Sequence, residues 1–337
     1  MRARAAVMAV CLATGASGQP VTPVEQRRNE EQTYLTFPEW YLVYSPVEYA
    51  AFVKHSPPSE FPFFGHLRQF WSSYRHVYRA TRDRPLNTEY HVMIMVIGVS
   101  TTVEYALRSA YENVVGRLSE LTATYGTTAE DRLAARVAQD YVDFIRDRPW
   151  YEFDYVTPLR ELWAGPALGS GVVRKWERRY ALTTEWAVKA GYAWLLGLGT
   201  AATYGAEAPT TTVLLARLPE GAEAELPRMA VVERFGDGSA LVTLPRYDDF
   251  KDHAAALAVR GADFTEIAGN RTVILLSALV PGGWASPVEG SRVLFTQPVL
   301  TEPGRQRVVL VVPVARLADT LRVLRDGGHE LEHVYDY

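Results

Sequence analysis

A motif in the last third of the chain recurs at a spacing of 67 residues. Laying Arg246–Ala268 on Pro313–Tyr335 pairs Phe250 with Leu317, Ala254 with Leu321 and Leu257 with Leu324. It also pairs Gly261 with Gly328, Phe264 with Leu331 and Ile267 with Val334. Each copy reads as a strand, a proline, an amphipathic helix, a glycine stop and a second strand. The glycine suits a helix end that needs positive φ. A hairpin precedes each copy. Met229–Phe235 and Ser239–Leu244 flank Gly236-Asp237-Gly238, while Arg292–Val299 and Arg307–Val312 flank Thr301–Gly304. Turn residues between short apolar runs are a hairpin signal. The unit is therefore ββαβ, used twice, with additional strands near 211–215 and 272–279. Two split β-α-β units on one sheet have a ferredoxin-like architecture, with helices over one face. That fold often serves binding or dimerisation, so a homodimer through this part is expected, but the fold assigns no activity by itself.

Aromatic usage sets the rest of the chain apart. Seven of eight Trp and sixteen of nineteen Tyr lie before residue 206. The fold class expected is α+β: an aromatic-rich all-α N-terminal domain over 30–205, a connection over 206–228 rich in Pro and Gly, and the duplicated domain over 229–337.

The first part reads as helices. Ser45-Pro46-Val47-Glu48 carries the marks of a helix start. The next helix spans about 63–80, where Phe63, Leu67, Phe70, Trp71, Tyr74, Val77 and Tyr78 make one face. Arg68, Arg75, Arg79 and Arg82 lie mostly off it. A longer helix over about 87–123 is apolar all round between Val92 and Val99, which predicts the central helix of the domain. Thr127 and Glu130 are read as a capping box, 149–171 as an aromatic loop, and a last helix starts after Ser170.

Residues 1–18 have two arginines, an apolar run and small residues before a proline, the pattern of an export signal or an anchor. An exported, periplasmic or inner-membrane-attached protein is expected. The single cysteine, Cys11, lies in this segment. Its removal would leave no thiol for disulfides, catalysis or metal. A formal charge of -4 without a basic tail argues against nucleic acid, which requires clustered Lys and Arg. The uncharged runs 90–103 and 190–206 fall short of the ~20 apolar residues of a spanning helix. Buried helices are the preferred reading, with interfacial insertion as the alternative because Trp and Tyr favour a membrane interface.

Phosphate loops, GxSxG elbows and HExxH are absent from the sequence, and no cofactor motif stands in their place. Three carboxylates are candidate catalytic groups: Glu39, between Pro38 and Trp40; Glu104, in a four-residue-spaced row with Arg108 and Glu112; and Glu177. Candidate ligand-binding residues are Trp40, Trp71, Tyr74, Tyr78, Arg75, Arg79, His91, Glu104 and Arg108. The row Glu104–Arg108–Glu112 reads first as surface ion pairs and second as an active-site floor. The cluster Arg174-Lys175-Trp176-Glu177-Arg178-Arg179 reads as a solvated first turn or as a contact for anionic headgroups. His329 and His333, alternating on one strand face, are a weak metal candidate; His66, His76 and His91 have no recognisable ligand spacing.

Residues 36–49, 174–179 and 331–337 resemble segments of an uncharacterised family of bacterial envelope proteins with an N-terminal apolar anchor and no known activity. The resemblance implies an envelope location and carries over no catalytic residue. Three readings of function follow. The first is a non-catalytic envelope protein whose helical part binds a lipid-like ligand, the membrane or a membrane partner. The second is a hydrolase or transferase acting on an envelope substrate through Glu39, Glu104 or Glu177. The third is a haem or metal carrier.

Overall fold

The computed structural model describes residues 21–336 except 29, 124–125, 147, 167, 169–170 and 201–209, and without the side chains of 196–200. The expected export segment and the Ser170 helix start lie outside the described residues. Among the described residues, seven α-helices build the first part: α1 (Glu30–Phe52), α2 (Phe63–Thr81), α3 (Thr88–Tyr111), α4 (Arg117–Glu120), α5 (Ala129–Ile145), α6 (Val156–Ala164) and α7 (Val172–Thr200). A π-helical stretch, Glu112–Gly116, carries α3 into α4 without a break.

Several local signals act differently from expectation. Ser45 does not start a helix, because α1 runs through both Pro38 and Pro46. A proline inside a helix costs about 3 kcal/mol. Burial of Phe37, Tyr41 and Tyr44 on the same helix offsets this at ~1.5–3 kcal/mol per large apolar side chain. Ser45 Oγ instead meets the Tyr105 hydroxyl at 2.7 Å. The capping box of α5 falls one residue later than expected: Thr128 accepts from the Asp131 N–H at 3.1 Å, and Asp131 accepts from the Thr128 N–H at 3.0 Å. The aromatic stretch after Pro149 contains α6.

The second part holds β1 (Thr210–Leu215), α8 (Ala222–Glu225), β2 (Ala230–Arg234), β3 (Ala240–Pro245), α9 (Asp248–Val259) and β4 (Phe264–Ile267). It continues with β5 (Val273–Pro281), β6 (Arg292–Pro298), β7 (Arg305–Pro313), α10 (Leu317–Asp326) and β8 (Glu330–Val334). The stretch 206–228, expected as a connection, thus contributes β1 and α8. The strands form two antiparallel four-stranded sheets, ordered β2-β3-β1-β4 and β6-β7-β5-β8. The two copies therefore do not share one sheet. The additional strands β1 and β5 are inner strands, so each unit is βββαβ. Phe250 and Leu317, Leu257 and Leu324, and Ile267 and Val334 all enter one core between the sheets, where α9 packs on α10. Gly261 and Gly328 both take positive φ, 84° and 66°, as their helix-end positions require.

The second sheet is covered on both faces. Its residues Ile274, Leu276, Leu310 and Val312 face the shared core. Leu275, Phe295, Val309, Val311 and Tyr335 face a different one, built with Phe37, Tyr41 and Tyr44 of α1, Phe70 of α2 and Ile94 of α3. The aromatic core of the helices is therefore not independent: the sheet is its floor. Thr33 fixes the contact by donating to the Tyr335 carbonyl at 2.9 Å and accepting from the Leu275 N–H at 2.9 Å.

Candidate functional site

Alternation along β5 and β7 sends every second side chain toward the helices. That periodicity delivers Ser277 and Arg307 beneath α1. A bulge in the β5–β8 pairing, where consecutive Ser277 and Ala278 oppose His333 and Leu331, adds Glu332 and His333 on the same side. Arg307 donates twice to Glu332, at 2.7 and 2.7 Å, and once to Glu48 of α1 at 3.2 Å. Its guanidinium lies 4.4 Å over the Tyr44 ring. The Tyr44 hydroxyl meets Tyr335 at 2.6 Å and Ser277 at 2.9 Å. Glu48 also faces His66 Nε2 at 3.6 Å. Burial raises Glu48 despite the opposing pull of Arg307. Burial, aided by Arg307, takes His66 down to about 3, so its imidazole is neutral near pH 7. The side chains of Arg307 and Glu332 are 2% and 8% exposed, which makes this cluster a closed clamp between helices and sheet.

The bulge also separates the metal candidates. His333 stacks on Trp40 with ring centroids 3.6 Å apart. His329 instead meets Trp284, which packs on the core between the sheets. The two histidines do not share a face, and Trp40 is a buried packing residue with no open surface for a ligand. No group of three or more His, Cys, Asp or Glu that could hold a metal ion occurs among the described residues.

The candidate carboxylates are held apart. Glu39 accepts from the Tyr90 hydroxyl at 2.9 Å. Glu104 lies fourteen residues beyond Tyr90 along α3, a rise of about 21 Å. There it pairs with Lys189 at 3.1 Å and Arg108 at 3.8 Å, and Arg108 reaches Glu185 at 3.5 Å. Arg108 also sits 4.4 Å over the Tyr49 ring. Glu177 takes Ser119 at 2.9 Å and Arg174 at 3.2 Å, and it also pairs with Arg178. Glu104 and Glu177 are neutralised where they stand, and no pair of the three carboxylates converges on a reacting position. Among the ligand candidates, Tyr74 bonds His91 at 3.0 Å, and Tyr78 and His91 line a 170 Å³ hollow with Arg84. That volume is below the roughly 300 Å³ at which small-molecule pockets begin, and Arg84 already pairs with Glu30 and Glu31. Trp71 Nε1 donates to Thr102 at 3.0 Å.

The basic cluster of α7 faces inward, contrary to both of its expected roles. Arg178 grips Glu112 with bonds of 2.9 and 3.0 Å. Arg174 pairs with Asp131 at 2.9 Å and Glu120 at 3.6 Å. Arg179 and Lys175 both reach Glu130, at 3.1 and 3.8 Å. These partners come from α3's π-helical extension, α4 and α5, so the cluster ties four segments together. Gly116 leaves room for it, since a Cβ there would strike the Glu112 carboxylate.

The consequence is a helix turned inside out. All seven charged residues between Val172 and Leu195 are buried or half-buried, whereas every exposed position there is uncharged, including Trp176, Tyr180, Val188, Tyr192 and Trp194. α3 matches it. Between Val92 and Val115 its charged residues Glu104, Arg108 and Glu112 turn inward and every exposed position is uncharged, with exposed Glu89 and Arg117 lying just beyond the two ends. Val96, Val99, Val103 and Leu107 are 52 to 67% exposed. α3 is therefore a peripheral helix, not the central one. The pairs Glu112–Arg178, Arg108–Glu185 and Glu104–Lys189 set the two helices side by side and antiparallel. Each charge-free face runs 24 residues, about 35 Å from end to end at the helical rise. By length and composition, Thr88–Glu120 is also the one helix among the described residues that could cross a membrane.

Comparison with known proteins gives no match: no family model, curated protein or solved structure is similar to this chain.

Proposed function

We propose that the protein is a non-catalytic, envelope-located protein that rests on a membrane through the outer faces of α3 and α7. One observation carries the reading: α7 places seven charged residues inward and none outward. Apolar side chains left in water forgo roughly 25 cal/mol per Å², and contiguous exposed apolar patches mark interaction surfaces. The face is bordered by Trp163, Trp176, Tyr180 and Trp194, residue types that favour the headgroup level. A face about 35 Å long exceeds the hydrocarbon thickness of a bilayer, about 30 Å. The inner sides of both helices are locked to the protein by ion pairs. The helices therefore lie in the interface and do not cross it. The two sheets form a duplicated module of split β-α-β type, with ferredoxin-like character, whose second sheet holds the membrane-facing helices from behind.

Vesicle flotation tests the reading. The wild-type protein should float with lipid vesicles. Val103→Glu and Val188→Glu, each on an outer face, should leave it in solution with an unchanged circular dichroism spectrum. Equal flotation of both variants, or no flotation of the wild type, refutes the membrane contact.

A further inference from the structure

Resting on that reading, we infer that exposed arginines of α2 select anionic lipid headgroups at the edge of the apolar face. α2 packs along α3: a Cβ at Gly98 would strike the Phe70 ring and meet Trp71 at 3.0 Å. Trp71 and Tyr78 mark the seam, through the bond to Thr102 and the edge contact with His91. Residues three and four apart on a helix share a side. Arg68 and Arg75 therefore flank Trp71, and Arg75 and Arg82 flank Tyr78, with Arg79 one position further out. All four arginines are exposed. They form a row beside the outer face of α3, on the flank opposite α7.

The row carries net charge. No acidic residue occurs in α2. Arg82 faces Asp83 at 3.6 Å, with both side chains largely in solvent, and an exposed pair of this kind is worth little. His76 senses the field: burial lowers its proton affinity first, and Arg79 and Arg75 lower it further. The contrast with α7 decides the assignment. There the bases are closed off by five acids inside the fold, so the exposed basic charge beside this face is the α2 row, with Arg117 at the far end of α3. A charge-free apolar face with arginines along one edge is complementary to a bilayer with anionic headgroups, where each base near the surface contributes about fivefold in affinity.

The test uses vesicles of phosphatidylcholine alone and vesicles containing a third phosphatidylglycerol. The wild type should bind the anionic vesicles more tightly, with the preference shrinking in high salt. Arg75→Gln with Arg79→Gln should weaken anionic binding by about thirtyfold and leave neutral binding unchanged. Equal binding of wild type to both vesicles, or an unaltered preference in the double variant, overturns the headgroup selection and leaves the membrane reading intact. Failure of the wild type on both vesicles sinks the membrane reading itself. A vesicle-free dimer that Val103→Glu dissociates would assign the face to a second copy of the chain and overturn both.

Discussion

Arg178 and Glu112 form two parallel hydrogen bonds, 2.9 and 3.0 Å, on the inner side of a helix pair whose outer side carries no charge over Val92–Val115 and Val172–Leu195. The geometry is bidentate, the strongest form of ion pair, and both side chains are under 10% exposed. Arg178→Ala strands Glu112 without its guanidinium. Removing one partner of a buried pair costs about 3–5 kcal/mol. Adding Glu112→Ala should recover much of that loss. Urea unfolding of the two single variants and the double variant checks this, and strictly additive losses would show that the pair does not act as a unit.

Arg307 holds helices to sheet, so its loss should be felt in α1. Arg307→Ala leaves Glu48 and Glu332 facing each other under α1 with no cation between them. Glu48 is already raised by burial, and without the arginine it takes up a proton more readily. Amide exchange in α1 should quicken, while exchange in β1 and β3 of the first sheet stays near the wild-type rate. Unchanged protection of α1 would refute the clamp.

Asp336 gives the stability a pH dependence of defined sign. Burial pushes its carboxyl up to about 7 against the pull of Arg246. The unfolded chain releases that proton near pH 3.9. Between these values the folded state holds the extra proton, so stability falls as pH rises. The contribution is whole below about pH 4 and is lost as pH passes through 7. Asp336→Asn keeps the neutral form throughout, so its advantage over wild type should grow from pH 4 to 7, by on the order of 4 kcal/mol. His66, lowered by burial and Arg307, slopes the opposite way below pH 6.5 in both proteins and cancels from the comparison. Parallel stability curves would contradict the assignment.

The repeat was legible because packing at Phe250 and Leu317, or Leu257 and Leu324, imposes a strict period. The site was less so. An apolar run such as Val92–Val99 says that water is avoided on every side, and periodicity does not say what replaces it. The charges of α7 looked solvated because their partners, Glu112, Glu130 and Asp131, lie 40 to 70 residues away. Arg307 had a usable signal: Val308–Val312 is an unbroken apolar run, the mark of a strand covered on both faces, so a neighbouring charge had to be paired inside. The bulge that turns Glu332 and His333 together has no comparable trace in the sequence.

The hydrogen bonds of Thr33 to Leu275 and Tyr335 span 242 and 302 residues. α1 is made well before β8, yet the surface it packs on is complete only once β8 is in place. The aromatic rings of α1 therefore stay without their floor through the synthesis of the intervening segments, and long-range pairings of this kind are slow to form.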